Sequence, residues 1–242
     1  SHRRQRQMCI RDRYKLDDSP LTLADTTSNK IIENILEASN IPILSEEGNI
    51  LDFNKRKNLK HLWIVDPLDG TKEFIKKNNE FTVNISLIEN SIPVIGVIYA
   101  PALNVLYFSE RKLGAYKTLI TALDELDNSK AFRLPLIKKS NEYKVLTSRS
   151  HLDDNTLDYI DNLKVNNLKV VSVPMGSSLK FCLLAEGLAD CYPRFSPCME
   201  WDTAAGQVIC EQVGFKVVDL KTMKPIVYNR ENLINNYFIA KK

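Results

Sequence analysis

The sequence predicts an α/β protein built as two subdomains with a cleft between them. Three observations point there. Residues 81–116 carry strand signals in close succession, the pattern of an antiparallel meander. Residues 143–218 alternate strand-like and helix-like segments. Upstream of both, Trp63-Ile64-Val65 runs straight into Asp66-Pro67-Leu68-Asp69-Gly70-Thr71, an apolar strand that delivers two carboxylates into a tight loop.

Each element follows from local chemistry. Residues 14–24 read as a loop, with Asp17, Asp18, Ser19 and Pro20 as turn formers. Residues 25–39 form the first predicted helix. Ile31, Ile32, Ile35, Leu36 and Ala38 recur at helical spacing, and Asp25, Thr26, Thr27 and Ser28 are N-cap candidates. A short strand at 43–45 leads to Glu46, and residues 49–58 read as a polar surface loop. The strand at 63–65 stops at Pro67, and a helix starts near Thr71. Strands at 81–88, 94–100 and 105–109 make the meander, which turns at Asn90-Ser91 and extends near 114–116. Residues 121–142 carry no clear pattern. Strands at 143–147, 168–173, 188–192 and 215–218 then alternate with helices at 153–163, 177–186 and 202–213, the last two stopped by Gly187 and Gly214.

Composition sets the class. A chain of 242 residues with 44% apolar and 26% charged content holds a substantial core. It has no apolar run long enough for a membrane span and no secretory h-region, so a cytoplasmic enzyme is expected. Five cysteines without C-x-x-C spacing argue against a zinc site or a disulfide framework. The net charge of +3 belongs to residues 1–13, where five arginines face Asp12; without them the chain carries −1. A basic arm for nucleic acid is therefore the weaker reading of that run, and a disordered or non-native extension the simpler one.

Four carboxylates stand at element edges: Glu46, Asp66, Asp69 and Asp202. Singly, each reads as a surface acid or a helix cap, Asp202 as an ordinary N-cap. Asp66 and Asp69 are more constrained, because Pro67 and Gly70 frame them. Together the four suit two or three Mg²⁺ ions, which take oxygen ligands only. Without a cation, clustered acids repel and shift one another's pKa values. The Gly70 and Thr71 amides suit a phosphate. Metal, phosphate and hydroxyl in one loop point to metal-assisted hydrolysis of a phosphate ester. No Walker A loop or Ser-His-Asp pattern competes with this.

At this point the sequence resembles the inositol monophosphatase superfamily of Mg²⁺-dependent, Li⁺-sensitive phosphatases. Asp66-Pro67-Leu68-Asp69-Gly70-Thr71, Trp201-Asp202-Thr203-Ala204-Ala205-Gly206 and the upstream Ser45-Glu46-Glu47 carry the resemblance. Further segments are similar to one branch, the CysQ-type 3'(2'),5'-bisphosphate nucleotidases: residues 80–85, 96–101, 176–182, 185–187, 192–195 and 233–240. The resemblance implies a layered αβαβα sandwich. It implies Glu46, Asp66, Asp69, Asp202 and the Leu68 carbonyl as ligands of the Mg²⁺ ions. It also implies that Asp25 pairs with Thr71 to activate water, that Glu46 joins the catalytic set, and that Gly70 and Thr71 bind the scissile phosphate. Ser177, Lys180 and Arg194 match positions for the nucleotide and its retained phosphate, and the Ser148-Arg149-Ser150-His151 run matches an adenosine-side loop. On sequence alone Lys180 also reads as a solvated helix residue, Arg194 as a surface ion pair and His151 as a helix-start or surface histidine.

The implied reaction converts adenosine 3',5'-bisphosphate to AMP and phosphate, serving sulfur assimilation, with adenosine 3'-phosphate 5'-phosphosulfate as a further substrate. Inositol or sugar phosphates are the first alternative substrates, and a non-catalytic nucleotide- or RNA-binding protein is the second. The resemblance runs from about residue 15 onward and gives a tail at 1–13, a metal-binding α+β subdomain at 14–133 and a substrate subdomain at 134–242. The branch opens with an amphipathic helix before residue 15. Here the arginine-rich run stands in its place and looks more like translated sequencing adapter, an expectation that an intact homologous gene encoding the run overturns. Ser45, where the superfamily often has Gly, and Glu200 read as branch variation. A small-molecule nucleotide, no nucleic acid, a monomer or homodimer, and the cytoplasm or the cytoplasmic face of the inner membrane complete the expectations.

Overall fold

A computed structural model describes residues 10–14, 20–121, 130–136, 141–150, 152–165 and 169–242. β1 (Ile10–Tyr14) pairs antiparallel with β2 (Pro20–Thr22), so the run expected as a loop holds strand residues. α1 (Leu23–Leu36) starts two residues earlier than predicted. Its cap is Thr22, and Asp25 sits at N3, where it completes a capping box by accepting the Thr22 N–H at 2.7 Å. The 49–58 loop contains a single turn, α2 (Phe53–Arg56), capped by Asp52.

Seven strands form the first sheet. β3 (Ile43–Ser45) runs parallel to β4 (His61–Asp69), followed in antiparallel order by β5 (Thr82–Glu89), β6 (Ile92–Ala100), β7 (Val105–Glu110), β8 (Gly114–Leu119) and β9 (Phe132–Arg133). A short α3 (Thr71–Lys76) joins β4 to β5. The second sheet takes β10 (Tyr143–Ser148), β11 (Val170–Met175), β12 (Cys191–Arg194), β13 (Lys216–Asp219), β14 (Lys224–Pro225) and β15 (Phe238–Lys241) in the order β11-β10-β12-β15-β13-β14. Its helices are α4 (Asp154–Val165), α5 (Leu179–Glu186) and α6 (Glu200–Glu211). Strand β11 starts and ends two residues later than the 168–173 prediction, and residues 166–168 lie outside the described residues.

The strand register explains the layers. Ile64 pairs with Ser86 and Ser86 with Gly96. Gly96 faces α6 so closely that a Cβ there would collide with Val208 and the Ala205 carbonyl. Val65 and its parallel neighbour Ser45 point the other way, and Ser45 Oγ donates to Asn29 Oδ1 of α1 at 2.6 Å. Helix α1 therefore covers one face of the first sheet while α5 and α6 fill the space between the sheets. Helix α4 packs on β11 beyond them, which makes five layers. Between the sheets lie the fully buried Trp201, Phe181, Tyr228 and Phe238. At Gly206 a side chain would strike the Phe181 ring, so α5 and α6 touch backbone to ring.

Pro67 does not end β4, contrary to the sequence reading. The strand continues to Asp69 through an irregularity: Asp66 pairs with Asn84, and Asp69 pairs with Thr82. Three steps on β4 match two on β5, so the extra residue forms a bulge, where a proline without an N–H is tolerated. A regular strand would send residues 66 and 69 to opposite faces. Asp66 shares the inner face with Ile64, and the bulge brings Asp69 to the same face, toward the first turn of α6.

Candidate active site

The site is where the bulged end of β4 meets the N-terminus of α6. Asp66, Asp69 and Asp202 each place a carboxylate oxygen within 4.8 Å of the others. Asp66 is 1% exposed, and its Oδ1 accepts the Leu68 N–H at 3.0 Å. Asp69 Oδ2 accepts the Ser178 N–H at 2.6 Å and Asn84 Nδ2 at 3.4 Å. Asp202 is not the N-cap the sequence allowed. It sits at N3 of α6, which begins at Glu200, and its Oδ2 accepts the Met199 N–H at 2.8 Å. Glu46 follows β3, with its N–H on the Val65 carbonyl at 3.1 Å, and lines the same cavity.

Electrostatics decide what this cluster holds. Burial, with Asp69 and Glu46 alongside, pushes the Asp202 carboxyl well above the usual carboxylate range. Burial also raises Asp69, against the pull of Lys180 and the Ser178 N–H. Convergent carboxylates that resist ionising together fit a hard divalent cation with oxygen ligands.

Asp202→Asn is therefore expected to raise the melting temperature of protein stripped of divalent ions, since amide for carboxylate removes repulsion and keeps an acceptor for Met199. The sign in pH follows. Folded Asp69 and Asp202 keep protons above 3.8, where unfolded aspartates have lost theirs, so their contribution to stability falls as pH rises from there. In EDTA the variant should melt above wild type at pH 7, with the gap closing toward pH 4. A variant melting lower at pH 7 overturns the repulsion argument.

Thr71 opens α3 behind Gly70, whose φ of +88° is a left-handed turn that favours glycine. A side chain at Gly70 would also crowd the Glu80 carbonyl at 3.0 Å and Ser177 Cβ at 3.3 Å. The single Thr71 hydroxyl proton has two acceptors in reach, Asp25 Oδ1 at 3.2 Å and the Leu68 carbonyl at 3.3 Å. Asp25 is fully buried, and its other oxygen is held by Thr22.

The cavity measures about 440 Å³ and is lined by the acids, Gly70, Thr71, Ser148, Ser177, Lys180 and Arg194. Lys180 is no solvated helix residue. It is 4% exposed, its Nζ donates to the carbonyls of Ser177 at 2.7 Å and Met175 at 3.2 Å, and it lies 5.2 Å over the Tyr192 ring. Burial and the Arg194 charge push its ammonium down to about 8, while Asp69, Glu73 and Asp202 pull it up. Arg194 donates to the Ser196 and Pro197 carbonyls at 3.2 and 3.0 Å. Ser177 holds a φ of +47° at the entrance to α5. His151 lies outside the described residues.

Asn84, Ser178, Glu73 and Tyr192 belong to the site and were missed from sequence. Ser178 Oγ meets Asn84 Oδ1 and Thr82 Oγ1 at 2.7 Å each, which fixes the N–H that holds Asp69. Asn84 carried a signal, since strand alternation puts it on the buried face between Thr82 and Ser86.

Five layers with an acidic cavity where the first sheet meets the central helices define a fold of the inositol monophosphatase and sugar phosphatase type. The model of the inositol monophosphatase family matches residues 3–241, and the chain belongs to that family. Among its relatives, the protein named 3'(2'),5'-bisphosphate nucleotidase CysQ of Buchnera aphidicola subsp. Acyrthosiphon pisum is 44% identical, over 87% of this chain and 75% of its own length. The CysQ of Salmonella typhimurium is 42% identical over 93% of this chain and 86% of its own. The crystal structure of CysQ from Bacteroides thetaiotaomicron matches with a TM-score of 0.86 and 46% identity, over 93% of this chain and 86% of that one. An IMPase of Thermotoga maritima, 22% identical with a TM-score of 0.73 over 96% of this chain and 83% of its own, shares the fold. Among the described residues, no helix is long and apolar enough to cross a membrane.

Proposed function

We propose that this chain is a Mg²⁺-dependent phosphatase that removes the 3'-phosphate of adenosine 3',5'-bisphosphate, releasing AMP and phosphate. The observation that carries the substrate is one cavity holding both the carboxylate cluster and two cations, the buried Lys180 and the partly exposed Arg194. A bisphosphate keeps one phosphate after hydrolysis, and an Arg fork beside a Lys suits it. The relatives named for this activity support the same choice.

Glu46, Asp66, Asp69, Asp202 and the Leu68 carbonyl are the oxygen donors for two or three Mg²⁺ ions. Bound Mg²⁺ supplies Lewis acidity, lowering the pKa of water and offsetting charge on the leaving oxygen. Asp25 Oδ1 draws the Thr71 hydroxyl proton to itself, which leaves the Thr71 oxygen to accept a proton from the attacking water. The Gly70 and Thr71 amides orient the scissile phosphate, and Ser177 and His151 complete the nucleotide side. In this reading residues 14–133 bring most of the donors and residues 134–242 close the site with Asp202. The setting is the cytoplasm and sulfur assimilation, with adenosine 3'-phosphate 5'-phosphosulfate a second substrate.

Phosphate release with Mg²⁺ from adenosine 3',5'-bisphosphate and from inositol 1-phosphate tests the reading. The nucleotide is expected to turn over faster; faster release from the inositol ester overturns the assignment.

A further inference from the structure

Glu80 stands outside the carboxylate cluster yet joins three segments. Its two oxygens accept Arg149 Nε and Nη2 at 2.6 Å each, and Oε2 also accepts the Gly176 N–H at 2.7 Å. Arg149 Nη2 donates further to the Pro174 carbonyl at 2.9 Å. One residue on, Ser150 Oγ donates to Glu73 Oε1 at 2.5 Å. Gly176 is pressed so tightly into this contact that a Cβ would lie 2.9 Å from Glu73 Cγ, Glu80 Cβ and the Glu80 carbonyl. The segment between α3 and β5 therefore grips the carboxyl ends of β10 and β11, which belong to the other sheet.

Those ends matter because β10 and β11 are parallel neighbours. Ligands of α/β sheets bind in the crevice outside the carboxyl ends of parallel strands. Here that crevice is the cavity itself, since Ser148, Gly176 and Ser177 line it next to Gly70. The ion pair adds little to stability as such: Arg149 and Glu80 are 40% and 16% exposed, and water screens pairs of that exposure. Its planar two-point geometry instead fixes the position of one loop against another.

We propose that Glu80 and Arg149 are positioning residues that hold this wall of the cavity and so set the affinity for the part of the substrate beyond the scissile phosphate. The inference rests on the nucleotidase reading above. Glu80→Gln keeps the shape and one acceptor but removes the charge-assisted fork. It is expected to raise KM for adenosine 3',5'-bisphosphate about tenfold, with kcat within about twofold. KM for glycerol 2-phosphate, an ester with no nucleoside, should not move. AMP affinity measured by calorimetry should fall by the same factor, and Arg149→Met should reproduce the effect. The double variant should be no worse than either single one.

An unchanged KM for the nucleotide in both single variants overturns the inference, as does an equal loss on both esters. A wild type that favours glycerol 2-phosphate over the nucleotide overturns the nucleotidase reading and this inference together. A wild type that favours the nucleotide, with unaltered Glu80→Gln, overturns the inference alone.

Discussion

Asp66→Asn is expected to lower turnover about a thousandfold, the scale of losing one preorganised electrostatic group in a buried site. Asp66 faces inward with Ile64 by strand alternation, and the β4 bulge brings Asp69 to converge with it and Asp202. The amide keeps an oxygen for the Leu68 N–H, so the loop retains its shape. What disappears is the negative charge that the proposed role as a cation ligand requires. The fold should survive; Mg²⁺ is expected to raise the melting temperature of the wild type, and that rise should shrink or vanish in the variant. Turnover and the Mg²⁺-induced thermal shift, measured on the same preparation, check this. Wild-type turnover in the variant overturns the ligand role of Asp66.

Glu200→Ala is expected to destabilise the chain by about 3 kcal/mol, the lower end for breaking a buried, hydrogen-bonded ion pair. That corresponds to a melting temperature lower by roughly 10 °C for a chain of this size. Glu200 is fully buried and accepts three donors: the Asn229 N–H at 2.7 Å, the Arg230 N–H at 3.0 Å and Arg230 Nε at 3.0 Å. Arg56, 2% exposed, extends the network through Asn229 Oδ1 at 2.8 Å. The alanine leaves two backbone N–H groups and a guanidinium without their acceptor. Because Glu200 lies two residues before Asp202 in the same helical turn, Mg²⁺ affinity should weaken as well. Thermal denaturation with and without Mg²⁺ reads both effects, and a melting temperature within 2 °C of wild type overturns the prediction.

Much of the site was legible because its chemistry is local. Asp66, Asp69, Gly70 and Thr71 sit within six residues, and proline and glycine mark the loop. The meander, the 3.6-residue pattern of α1 and the Gly187 stop of α5 are also local signals. Failures came where distant partners decide. Pro67 reads as a strand end until the register with β5 makes it part of a bulge. Asp25 reads as a cap at the helix start, yet its place at N3, opposite Thr71, depends on packing. Arg56 sits in a stretch that reads as polar surface, and its partner Asn229 is 173 residues away. Lys180 and Arg194 were legible as cations. That both line the same cavity as the acids was not, because no spacing in the chain encodes it.

The strand order of the second sheet bears on how the chain reaches this state during synthesis. β15 lies between β12 and β13, so residues 238–241 supply an interior strand that the preceding strands require. A nascent chain with residues 1–225 outside the ribosome has β12 and β13 but nothing to bridge them. It also lacks Asn229 and Arg230, the donors that meet Glu200. Zipping from the N-terminus cannot complete this half. The second sheet, and with it the setting of Asp202, cannot be completed before residues 238–241 are available.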